Sequence, residues 1–132
     1  MSLISSVKFH ESLSLQIYKC SANRLTIGYG RNIEDKGITK EEAEMLLLND
    51  LAICTQEAEQ FEFYEALTSN RQDVIVEMIF NMGLTRFRKF KKTIAFINHA
   101  HYSAAADEML RSRWSTQVGQ RAITLSNKFR AS

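Results

Sequence analysis

Apolar positions along the chain change their period twice, and the changes outline the elements. Over residues 2–10, Leu3, Ile4 and Val7 recur at helical spacing and predict a short helix. From Leu13 the period becomes two: Leu13, Leu15 and Ile17 alternate with Ser14, Gln16 and Tyr18, which predicts a half-buried strand. Ser21-Ala22-Asn23 supplies a turn, and residues 24–30 supply a return strand ending in Gly28-Tyr29-Gly30. Thr39-Lys40-Glu41-Glu42 has the form of a capping box. It predicts a long helix to about residue 58 with apolar positions at Ala43, Leu46, Leu47, Leu51 and Cys54. A second start at Thr68-Ser69-Asn70 leads to a helix whose Val74, Ile75, Met78, Ile79 and Met82 form a wide apolar face. Gly83 is placed to stop it. Further helices are predicted at about 88–98, 103–112 and 120–130. A small β-element followed by helices alone is an α+β pattern. No proline or low-complexity linker divides the chain, so residues 1–132 read as one domain.

Composition narrows the class. With 45% hydrophobic and 24% charged residues, the chain matches a globule that buries a core. No apolar run approaches the length of a membrane span. The first residues lack the basic segment of a cleaved signal, so synthesis in the cytoplasm is the expectation. Cys20 and Cys54 form neither a disulfide framework nor a zinc pattern. Charge is uneven: residues 1–66 hold six Lys/Arg against eleven Asp/Glu, and residues 67–132 hold eleven against four. A basic second half suits an anionic partner, with nucleic acid, membrane and cell-wall polymer all open at this point.

Taken singly, the candidate residues have plain alternatives. An acid such as Glu11, between a helix and a strand, is usually solvated. Thr26 suits any strand, and Gly28-x-Gly30 lacks the helix start and full fingerprint of a phosphate loop. His99 and His101 have no third ligand nearby, so no metal is expected. The basic segment Arg86–Lys92 interleaves Phe87 and Phe90 as nucleic-acid segments can, but those rings more simply anchor a helix. Cys54 fits a helix seam as inert core. Trp114 could be core or a platform for a sugar.

In collinear order these residues form a recognisable series. Glu11, Tyr18-Lys19, Thr26-Ile27-Gly28-Tyr29-Gly30 and Ile38-Thr39-Lys40-Glu41-Glu42-Ala43-Glu44 closely resemble the phage-type lysozymes of glycoside hydrolase family 24. Phe80-Asn81-Met82-Gly83, Ala104-Ala105-Ala106, Ser112-Arg113-Trp114 and Gln117 through Arg121-Ala122 extend the resemblance over nearly the whole chain. The resemblance implies a lysozyme-like two-lobed fold: a small hairpin lobe at about 12–45, and a helical lobe at about 60–132 that includes the N-terminal helix. The segment between Gly30 and Ile38 is short, so the small lobe's usual extra helix should be missing and that lobe more open.

The same resemblance implies hydrolysis of the β-1,4 bond between N-acetylmuramic acid and N-acetylglucosamine, as a phage endolysin does. Such cleavage needs an acid for the leaving oxygen and a second group to manage water. Glu11 matches the general acid, Thr26 the residue whose hydroxyl holds the water, and Arg121 an arginine that pairs with the glutamate. Cys20 falls where the family has its catalytic aspartate. Tyr29, Gly30, Asn81, Met82, Gly83, Arg113 and Gln117 match the substrate-binding wall. No cofactor is implied. The implied partner is bacterial peptidoglycan rather than nucleic acid, with no stable membrane association, a monomeric state, and release from the host cytoplasm through a holin-type pore.

Two positions depart from the family. Arg31 replaces a histidine and should alter a local ion pair. Cys20 replaces aspartate with a thiol, whose pKa should rise if a carboxylate lies beside it. Three accounts follow: Thr26 and the thiol or thiolate position water and the enzyme is active; the thiolate attacks the sugar directly; or catalysis is lost and the protein only binds glycan.

Overall fold

The computed structural model describes residues 1–131. Its order is α1 (Leu3–Glu11), β1 (Ser14–Lys19), β2 (Leu25–Gly28), β3 (Arg31–Asn32), α2 (Ile33–Lys36), α3 (Lys40–Glu59), a 3-10 turn (Tyr64–Ala66), α4 (Ser69–Met82), α5 (Leu84–Arg88), α6 (Lys91–Asn98), α7 (Tyr102–Arg111), α8 (Arg113–Val118) and α9 (Gln120–Ala131). The chain divides into a first unit, Met1–Leu46, and a second from Leu47 onward. The predicted α+β class holds, and α1 groups with the first unit.

The first unit is built on polar anchors. Ser2 caps α1, its hydroxyl accepting from the Ser5 amide at 3.1 Å. The sheet is antiparallel in the order β1-β2-β3. Tyr18 pairs with Thr26, and Thr26 pairs in turn with Asn32. The expected half-buried strand forms, but its apolar face is not buried: Leu15 is 77% and Ile17 59% exposed. An irregularity between Ser14 and Tyr18 breaks the two-residue alternation, and the Ser14 hydroxyl turns back to donate to the Gln16 carbonyl at 2.7 Å. Asn23 takes the left-handed conformation (φ 61°) that closes the hairpin.

The short connection after Gly30 is not free of helix, contrary to expectation. Asn32 caps the single turn of α2 by accepting from the Asp35 amide at 3.1 Å, and Glu34 and Asp35 lie in its first turn, where the dipole favours acids. The capping box of α3 forms as predicted: the Thr39 hydroxyl accepts from the Glu42 amide at 3.1 Å, and Glu42 Oε1 accepts from the Thr39 amide at 2.8 Å. Glu42 also receives both guanidinium nitrogens of Arg31, at 3.0 and 2.7 Å. Arg31 further donates to the Gly37 carbonyl at 3.1 Å. Arg31 thus ties β3 to the start of α3.

The second unit carries the apolar core. Val74, Ile75, Met78, Ile79 and Met82 of α4 are buried as the pattern predicts, and Thr68 caps the helix by accepting from the Arg71 amide at 3.3 Å. Gly83 ends it with φ 87°, a conformation costly for other residues. Phe61, Phe87, Phe90 and Trp114 form a run of ring contacts with centroids 5.4 to 6.2 Å apart. The helix predicted at about 88–98 forms as α6, and a separate short helix that the pattern did not announce, α5, precedes it: Phe87 lies in α5, and Phe90 is the N-cap of α6. Arg71 donates from Nε to the Phe129 carbonyl at 2.7 Å and from Nη2 to the Arg130 carbonyl at 3.2 Å, satisfying the end of α9. On α3 only Ala58 is buried; Cys54 packs half-buried against the core, while Ala43, Leu46 and Leu47 are exposed. Among the described residues, no helix is long and apolar enough to cross a membrane.

Glu42 carries a pH signature. Arg31, then the Thr39 amide, hold its carboxyl down to about 2 from an ordinary 4.5. A depressed folded value means that the stabilisation is present above pH 4.5 and is lost as pH falls from there through about 2. Acid titration followed by hydrogen exchange at the hairpin should show this loss, and Glu42→Gln should abolish that part of the pH dependence. An unchanged profile in Glu42→Gln would show that the pair does not hold the hairpin.

Candidate functional site

Five of the residues singled out from sequence fall within the first unit: Glu11, Cys20, Thr26, Tyr29 and Gly30. Glu11 is the last residue of α1 and is exposed. Its carboxylate lies directly against the backbone of Gly30. A methyl group on Gly30 would come within 2.7 Å of Glu11 Oε2 and 3.1 Å of its Cδ. Gly30 also has φ 78°, so a side chain there would strain the backbone and push the Glu11 carboxylate aside. The Lys8 ammonium stands 5.3 Å from the centre of the Tyr29 ring, a second link between α1 and the Gly-Tyr-Gly stretch.

Thr26 is buried, at 2% exposure, in the central strand β2. Its hydroxyl donates to the Arg24 carbonyl at 2.9 Å. The oxygen also keeps lone pairs to accept a hydrogen bond from another group. Cys20 follows β1 and closes the hairpin: its amide donates to the Arg24 carbonyl at 3.0 Å, and its carbonyl accepts from the Asn23 amide at 2.8 Å. The thiol is half-buried and free. Its pKa lies below the usual cysteine value, chiefly through the Arg24 main chain, then the Thr26 hydroxyl and the Ala22 main chain, with desolvation opposing them. The expected rise is therefore corrected: hairpin hydrogen bonds, which favour the thiolate, outweigh desolvation, and no carboxylate contributes.

Arg24 is the contributor that residue-by-residue reading missed. It acts through its main chain, and its side chain serves to fix the turn by donating to Glu34 Oε2 at 2.9 Å with Asp35 at 3.7 Å. Main-chain roles have no residue-type signal in a sequence.

The remaining named residues lie in the second unit. Met82 is 9% exposed and belongs to the core, and Asn81 accepts from the Trp114 indole Nε1 at 2.8 Å. Trp114 itself is 1% exposed, which decides between the two readings of that residue in favour of core. Gly83 caps α4, Arg113 starts α8 and is exposed, and Gln117 accepts from Arg86 Nη2 at 2.7 Å. Arg121 Nε donates to Glu77 Oε2 at 2.9 Å. That pair borders a recess of about 540 Å³ floored by Leu51, Val76 and Phe80. His99 and His101 have ring centres 6.0 Å apart, and the described residues contain no group of three or more side chains placed to hold a metal ion.

Known proteins resemble this chain along most of its length. The sequence profile of the phage lysozyme family matches residues 8–131. The chain is 36% identical over 113 residues to an endolysin of Acyrthosiphon pisum secondary endosymbiont phage 1, covering 83% of this chain and 74% of that protein. It is 28% identical to probable T4-type lysozyme 2 of Dictyostelium discoideum, covering 97% of this chain and 93% of that protein. Probable T4-type lysozyme 1 of the same organism is 26% identical, with 92% and 89% covered.

Two outcomes test the site's geometry. Gly30→Ala should displace the Glu11 carboxylate, visible as a shift of the Glu11 side-chain carbon resonance, while the second unit's signals stay in place. An undisturbed Glu11 would refute the contact. Iodoacetamide at neutral pH should label Cys20 faster than Cys54, whose pKa is raised by burial and by Glu57 and Asp50. Faster labelling of Cys54 would reverse the assignment of thiolate character.

Proposed function

Because the chain belongs to the phage lysozyme family, we propose that it is a muramidase. It cleaves the β-1,4 bond between N-acetylmuramic acid and N-acetylglucosamine, with Glu11 as the acid. The observation that carries this reading is the seating of the Glu11 carboxylate on Gly30, in the same hairpin unit as a buried Thr26 with an oxygen free to accept. Glu11 protonates the leaving oxygen. A water that donates a hydrogen bond to the Thr26 oxygen presents its own lone pair to the sugar, and its other proton passes to the Cys20 thiolate as the new C–O bond forms and the glycosidic bond breaks.

The lowered thiol pKa supports this role, because a larger thiolate fraction supplies both a base and a negative charge near a cationic transition state. Direct attack by sulfur would instead form a covalent glycosyl intermediate and retain configuration. Water attack inverts it, so product stereochemistry separates the two routes. Similarity to an endolysin supports a part in host lysis, from the cytoplasm through a holin-type pore onto peptidoglycan. The excess of Lys/Arg in residues 67–132 favours approach to an anionic wall.

Turbidity loss of purified peptidoglycan tests the proposal. Wild type should clear the suspension, more slowly as salt rises, and Glu11→Gln should lose about 10²- to 10⁴-fold in rate. Cys20→Ser should fall well below wild type while Cys20→Asp retains clearing. An inert wild type that Cys20→Asp revives would mark the thiol as a disabling substitution. Full activity in Glu11→Gln would remove the acid assignment.

A further inference from the structure

The basic segment Arg86–Lys92 lies outside the residues assigned above to glycan cleavage, and the fold gives it a defined shape. α5 ends at Arg88 and α6 begins at Lys91 with Phe90 as its N-cap, and Phe90 offers no side-chain acceptor. The first turn of α6 therefore presents the amides of Lys91, Lys92 and Thr93 without an acceptor among the described residues. Phe90 is held against Phe87 and Trp114, so the start of this eight-residue helix is anchored to the core.

A second, independent feature lies at the same place. Thr93, the third residue of α6, is only 3% exposed and lines a recess of about 320 Å³. Its hydroxyl has no hydrogen-bond partner among the described residues, and the oxygen is not sealed from the recess. A hydroxyl on an otherwise buried side chain that opens onto a recess is a donor available to a ligand there. Lys89, Lys91 and Lys92 surround it, none in an ion pair among the described residues. Glu108 also lines the recess, but its carboxylate is matched by Arg111 at 2.9 Å. The Ser112 hydroxyl is already used, donating to the Met109 carbonyl at 2.6 Å and accepting from the Ser115 amide at 3.1 Å.

We propose that this recess binds a phosphate group. The amides of the first turn of α6 and the Thr93 hydroxyl supply hydrogen bonds, and the three lysines supply charge. This many convergent donors exceed what the two oxygens of a carboxylate can use, whereas phosphate offers three or four. The recess is larger than a phosphate alone, which leaves space for a group attached to it. Free phosphate and the phosphate of a lipid headgroup share this chemistry. The inference stands on the second unit alone and does not depend on the muramidase reading.

Amide resonances of the intact protein, titrated with inorganic phosphate and with sodium acetate at matched ionic strength, test it. Saturating shifts at Lys91, Lys92 and Thr93 are expected with phosphate and not with acetate. Thr93→Val should weaken binding about tenfold, and Thr93→Ser, which keeps the hydroxyl, should stay close to wild type. Lys91→Gln with Lys92→Gln should weaken it further and flatten its salt dependence. Equal shifts with acetate, no saturation, or no change in Thr93→Val would each overturn the site. Sedimentation with phosphatidic acid vesicles, against phosphatidylcholine alone, distinguishes the carrier. Vesicle binding lost in Thr93→Val supports a site that takes a lipid headgroup, and phosphate binding without it supports one for the free ion.

Discussion

Glu42 is where the first unit is held together. Its carboxylate accepts the Thr39 amide that opens α3 and both guanidinium nitrogens of Arg31 at the far edge of the sheet. This matters because Met1–Leu46 has almost no apolar interior: Thr26 is its only buried residue, while Leu3, Ile4, Leu15 and Ile17 are exposed. A unit of that size buries little surface, so directional polar contacts must define its geometry. Arg24 with Glu34, Asn32 with the Asp35 amide and Thr26 with the Arg24 carbonyl continue the same scheme. Arg31 is therefore structural.

The candidate site inherits its character from this polar frame. Glu11 is positioned by the absence of a side chain at Gly30 rather than by an apolar pocket. Cys20 owes its lowered pKa to the tightness of the turn, because the main chain at Arg24 and Ala22 faces the sulfur. A thiol in a relaxed loop would lack those dipoles and behave as an ordinary cysteine. The second unit follows the opposite rule: an aromatic and aliphatic core fixes the helices, and polar groups such as Asn81 and Arg71 satisfy what that core would otherwise strand.

Local chemistry was readable in the sequence wherever a signal lay within a few residues. The Thr39–Glu42 box, the Thr68 cap, the apolar face of α4 and the stop at Gly83 all form as the pattern predicts, because each depends on contacts one helical turn apart. The hairpin and its Glu11, Thr26 and Gly30 were legible only as an ordered set, since each residue alone has a commonplace reading. Trp114 stayed ambiguous because an indole suits a core and a sugar platform equally well.

Tertiary structure decided what depends on distant groups or on the main chain. Burial of β1 could not be read from its alternation, since period two marks a strand but not what covers it. The direction of the Cys20 shift, the one turn of α2, the separate short helix α5 and the opening of Thr93 onto a basic recess all depend on neighbours that only the folded chain brings together. By itself the sequence determined the element types, their caps and the family series of residues. Only folding set the electrostatics of the thiol and the geometry of the acid, because those are summed over neighbours that the turn and the strand pairing bring together.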